Sequence, residues 1–132
     1  MKKLIVILSI GVVAGATSWG VVGLVSDRHE PFDSTIGFYL GQFILSIIAL
    51  WVGYKKQFRD LVIYLISAYL GMNAYSYIFG GSEQRAWAML GMLTTTSLVV
   101  YPSIFGVIGK LLGFVQRKYN KPNLADTETS RG

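Results

Sequence analysis

Residues 4–25 read LIVILSIGVVAGATSWGVVGLV, a run without a charged side chain. As an α-helix rising 1.5 Å per residue it extends ~33 Å, enough to cross a hydrocarbon core ~30 Å thick. A surface helix of a soluble protein sets a charged or polar face against its apolar stripe, and this segment has no charged residue with which to do so. It reads as a transmembrane helix, with Lys2 and Lys3 as its positive flank.

Three further runs of this kind follow. Residues 36–54 open after Asp33, Ser34 and Thr35, all suited to capping a helix N-terminus, and close on Lys55 and Lys56, whose charge suits a C-terminus. Residues 61–79 are preceded by Asp60 as an N-cap and followed by Gly80 and Gly81 as terminators. The fourth run, residues 86–112, would be ~40 Å long as a helix, so it must tilt, bend or project. Pro102 supplies the bend, because it leaves the carbonyl of Leu98 without a donor and disfavours helical backbone at Tyr101; a kink is expected just before it.

The composition agrees. Of 132 residues, 52% are hydrophobic and 14% charged, against about 25% charged in an ordinary soluble domain. The expected fold is all-α, a polytopic membrane protein with four transmembrane helices in one domain over residues 1–115 and a flexible polar tail over 116–132. A second reading takes Lys2 and Lys3, the run 4–13 and Ala14-Gly15-Ala16 as a cleaved signal peptide, which would leave three helices. The apolar run continues past that site to Val25, which favours retention.

The net charge of +5 would suggest nucleic-acid binding if taken as one number. Resolved by segment, the first residues, the 55–60 turn and the stretch from Lys110 onward carry +7, and the two intervening loops carry −2. Basic residues gather in the loops that stay in the cytoplasm, so both termini are expected inside, in a bacterial inner membrane, with no nucleic-acid partner. Lys55 to Arg59 and Arg117-Lys118 read as orientation signals and contacts with anionic lipid. Aromatic residues are placed at the two interfaces: Trp51, Tyr54 and Tyr64 inside, and Tyr39, Tyr75, Tyr77 and Trp87 outside.

Catalytic chemistry is sparse. With no cysteine and one histidine, thiolate metal sites, iron–sulfur ligation, thiol nucleophiles and histidine-built metal centres are removed, and no cofactor is expected. His29 lies among Asp27, Glu30 and Asp33, but the second histidine of a zinc hydrolase is missing and the cluster reads as a solvated loop. Phosphate-binding and nucleophile-elbow motifs are missing too. No span holds an acidic residue, and Lys110 lies near enough to a helix end to snorkel, so the carboxylate on which proton-coupled carriers depend has no counterpart. An enzyme is the least favoured class.

Two features remain. Small residues recur on helix faces: Gly11 and Gly15 in the first span, Gly37 and Gly41 in the second, and Gly91, Gly106, Gly109 and Gly113 on a fourth-span stripe shared with Ala88, Thr95, Leu98 and Pro102. Such faces let helix backbones approach, which drives association where lipid removes the hydrophobic force. Polar groups also share a depth. Ser18, Gln42, Asn73 and Thr94, with Thr95 beside it, lie ~10–13 Å from the outer ends of their helices. Gln42, Ser46, Ala49 and Gly53 form one expected inward face, and Tyr69, Asn73, Ser76 and Gly80 another.

Gln42 and Asn73 are expected to bond to one another or to Thr94 and Thr95, so Gln42→Leu and Asn73→Leu should loosen the bundle more than Ser9→Ala. Function is then expected to be non-catalytic: an accessory or inhibitory subunit joined by helix–helix association to another membrane protein in the lipid bilayer. The alternative is a passive channel or uncoupled small-solute carrier formed by self-association, with the polar layer as its path.

Overall fold

The computed structural model describes residues 2–26, 34–82, 85 and 88–119. They form four helices: α1 (Lys2–Val25), α2 (Thr35–Lys55), α3 (Phe58–Phe79) and α4 (Ala88–Tyr119). Each is long and apolar enough to cross a membrane. The loop containing His29, the start of the expected fourth run at Ala86 and Trp87, and the tail from residue 120 lie outside the described residues.

Local chemistry sets the helix ends. The Ser34 hydroxyl accepts the Gly37 N–H at 3.2 Å and starts α2, and the Lys56 N–H returns to the Val52 carbonyl at 2.8 Å to finish it. Asp60 does not act as the N-cap of α3. The helix begins earlier, capped by Gln57, and Asp60 occupies the third helical position with its Oδ2 accepting the Gln57 N–H at 3.3 Å. A carboxylate at that position satisfies the cap's own N–H, the reciprocal half of a capping box.

α4 runs past the expected end at 112 and takes in the first residues of the expected tail. Its last turns have partners on α2: the Tyr54 hydroxyl bonds to Gln116 Oε1, and Arg117 donates to the Tyr54 carbonyl at 3.3 Å. Pro102 is buried within this single helix.

The helices run alternately up and down. α1 packs most closely on α3 and α2 on α4, while α1–α2 and α3–α4 close the ring and α2 meets α3 across the middle. The centre is filled by Leu45, Leu61, Tyr64 and Met72, all essentially inaccessible. The outer surface is apolar, with Val13, Phe43, Ile66, Leu93 and Leu111 among many large side chains more than half exposed. Such a surface has no favourable counterpart in water on this scale.

Candidate functional site

The glycine faces are where backbones meet. A Cβ on Gly15 would collide with the Ala68 carbonyl, and one on Gly71 with the Val12 carbonyl, so α1 and α3 touch through their main chains. A Cβ on Gly11 would lie 2.5 Å from Ser67 Cβ in the same seam. Between α2 and α4, Gly53 faces the Gly106 carbonyl and Gly109 the Leu50 carbonyl, and a Cβ on Gly113 would lie 2.6 Å from the Tyr54 carbonyl. A Cβ on Gly41 would lie 2.6 Å from the Ser18 carbonyl and one on Gly37 3.1 Å from Val22, which closes α1 on α2. Gly106 also receives the Leu61 side chain from α3.

Gly91 differs from the nine glycines of these seams. Among the described residues, a Cβ there would have nothing within 4 Å. It lines a groove of about 320 Å³ between α3 and the start of α4, together with Leu70, Asn73, Ala74, Ser76, Tyr77 and Met92.

The expected faces fall as follows. On α4, Thr95, Leu98, Pro102, Gly106, Gly109 and Gly113 are buried, and on α2 so are Gln42, Ser46, Ala49 and Gly53. α3 is rotated from the expected register. Its buried face is Leu61, Tyr64, Ser67, Ala68, Gly71 and Met72, while Tyr69, Asn73 and Ser76 lie half-buried on the flank towards α4. Close approach to α1 needs the small residues Ser67, Ala68 and Gly71, and this turns the polar residues aside. Gly71 does not figure in the sequence reading, although Ser67-x-x-x-Gly71 repeats the small-residue spacing of Gly11 and Gly15.

Tyr64, expected near the cytoplasmic boundary, turns into the bundle: it is fully buried, and its hydroxyl donates to the Leu45 carbonyl at 3.0 Å. A tyrosine with an acceptor at its tip can enter a core that would otherwise exclude its hydroxyl.

The polar residues at common depth are mostly satisfied within their own helices. Ser18 donates to the Gly15 carbonyl at 2.7 Å, Thr94 to Leu90 at 2.7 Å, and Ser97 to Thr94 at 2.6 Å. Asn73 Nδ2 donates to the Tyr69 carbonyl at 2.8 Å, and its Oδ1 lies 3.3 Å from the Thr95 hydroxyl. That hydroxyl has one proton and also faces the Gly91 carbonyl, so the Asn73 bond is a shared one. Gln42 is buried, and among the described residues its Oε1 has no partner; Trp19 Nε1 on α1 is likewise buried and unpaired there. Lys110 lies half-buried, and its ammonium donates to the Lys56 carbonyl at 2.9 Å.

Two more grooves open on the outer surface. One, of about 430 Å³, runs between α2 and α4 past Phe38, Gln42, Phe43, Tyr101 and Phe105. The other lies at the end of the bundle where α1 begins. The chain matches no known family model, no curated protein and no solved structure.

Proposed function

We propose that this is an integral membrane protein of a bacterial inner membrane, with both termini cytoplasmic, that acts without catalysis by docking on a transmembrane helix of another membrane protein as an accessory or inhibitory subunit. Gly91 carries this reading. Helix association in lipid depends on small residues that admit a neighbouring backbone and on polar groups that bond across. The other seam glycines are filled by the protein's own helices, whereas Gly91 is open beside Ala74, Ser76 and the Asn73 amide. The groove therefore offers both requirements to an incoming helix. Charge placement supports the orientation, since every basic cluster falls on one side of the four-span arrangement.

The rival reading, a self-associated channel or carrier, gains less support. The intramembrane hydroxyls turn back onto their own helices, and large side chains fill the centre of one copy.

The test is affinity purification from native membranes with the unsubstituted chain and with Gly91→Leu. A Cβ at this position meets no atom among the described residues, and the groove beside it has room for a side chain, so the variant should retain its thermal stability in detergent while a stoichiometric partner is lost. A partner retained in full by Gly91→Leu would remove the groove from the proposal. A self-associated species that conducts solute in liposomes would replace the accessory reading with its rival.

A further inference from the structure

The groove at the start of α1 combines a cationic mouth with an apolar floor. It is about 230 Å³, with Lys2, Lys3 and Lys56 at the mouth and Val6, Ile10 and Trp51 along its length. From Lys3 to Ile10 the floor follows α1 for ~10 Å, at 1.5 Å per residue. The Lys56 ammonium sits over the Trp51 ring, 6.0 Å from its centroid, at the outer limit of a cation–π contact.

The groups that would oppose an anion here are partly offset. Asp60, the one carboxylate on the groove, accepts the Gln57 N–H with Oδ2 and faces Arg59 with Oδ1 at 4.0 Å. The end of α2 would present its negative pole, but the Lys110 ammonium caps the Lys56 carbonyl. The first turn of α1 holds no acidic residue and turns its free N–H groups to the same end. Among the described residues no carboxylate pairs with Lys2, Lys3 or Lys56.

We infer that this groove is a seat for one anionic glycerophospholipid, its phosphate held by Lys2, Lys3 and Lys56 and an acyl chain laid along Val6, Ile10 and Trp51. The inference rests on the membrane-spanning reading and is independent of the partner helix at Gly91. Charge complementarity at the mouth, joined to an apolar floor that runs along the helix axis, fits a lipid better than a soluble anion, which would leave the floor empty. It differs from a diffuse attraction of basic loops to the membrane surface, because Lys55 and Lys118 lie outside the groove.

Brominated lipids quench nearby indoles, and Trp51 lies in the groove. The full chain carrying Trp19→Phe and Trp87→Phe retains Trp51 as its single indole. It is placed in phosphatidylcholine nanodiscs containing increasing fractions of brominated phosphatidylglycerol or brominated phosphatidylcholine. Phosphatidylglycerol should quench at the lower fraction. That preference should fall ~fivefold for each lysine lost, roughly twenty-five-fold in Lys3→Gln/Lys56→Gln, and should persist in Lys55→Gln/Lys118→Gln.

Equal quenching by the two lipids overturns the site. An equal loss in the Lys55→Gln/Lys118→Gln control reduces it to surface charge and also overturns it. Competition by added inorganic phosphate makes the occupant a free anion instead of a lipid. No quenching by either lipid rejects the membrane-spanning reading itself. Should the tryptophan substitutions prevent folding, lipid phosphorus retained by the unsubstituted chain and by Lys3→Gln/Lys56→Gln after purification in neutral detergent reads the same preference.

Discussion

Helix α3 meets α1 through touching backbones and meets the start of α4 through the tips of long side chains. On the first side, Gly15 faces Ala68 and Gly71 faces Val12, each close enough that a Cβ would strike a carbonyl. On the second, the Tyr69 hydroxyl reaches the Met92 carbonyl at 3.3 Å, Asn73 reaches Thr95 at 3.3 Å, and Gly91 is left open. A glycine thus makes a seam only when the opposite helix is also small at that level. Gly53 has Gly106 opposite it, whereas Gly91 has Tyr69, Asn73 and Tyr77 on the flank of α3 to hold the backbones apart.

The largest expected effect tests that contrast directly. Gly15→Leu should lower stability by about 3 kcal/mol, because the clash is with backbone that no rotamer relieves, while Gly91→Leu should cause no loss. Thermal unfolding in one detergent compares them, and equal losses would break the distinction between closed and open seams. Next comes Gln42→Leu. Sequence reasoning expects it to loosen the bundle, but an unpaired buried carbonyl costs stability and its removal should raise the unfolding free energy by about 1 kcal/mol. A lower midpoint for Gln42→Leu would mean that its Oε1 does find a partner. The smallest effect is that of Asn73→Leu, a loss of ~0.6 kcal/mol for one shared interhelical bond. Exposed Ser9→Ala should show no change, which sets the baseline of the series.

Four helices and most of their inward faces are legible in the sequence, because charge-free length and three-to-four-residue spacing are local properties. The α4 stripe from Thr95 to Gly113 is an example, as is the α2 face from Gln42 to Gly53. The rotation of α3 is not legible in the same way. Asn73 and Ser76 suggest an inward polar face, but the demand for small residues opposite Gly11 and Gly15 outweighs them, and that demand comes from another helix. Tyr64 fails for a similar reason: proximity to Lys55, Lys56 and Arg59 gives its depth, while its radial position depends on the Leu45 carbonyl. Common depth likewise brings Asn73 to Thr95 without giving Gln42 a partner, since depth says nothing about direction around the helix axis.

The closest pairs, α1 with α3 and α2 with α4, skip a helix each time, and this orders assembly in time. A growing chain that has made α1 and α2 holds only their shared seam at Gly37 and Gly41. Once α3 emerges, Gly15 and Gly71 can close, yet Gly53 and the Leu50 carbonyl stay bare until Gly106 and Gly109 of α4 arrive. The bundle is therefore completed by its last helix, and a chain stopped after Phe79 would expose to its surroundings one of the two tightest contacts in the protein.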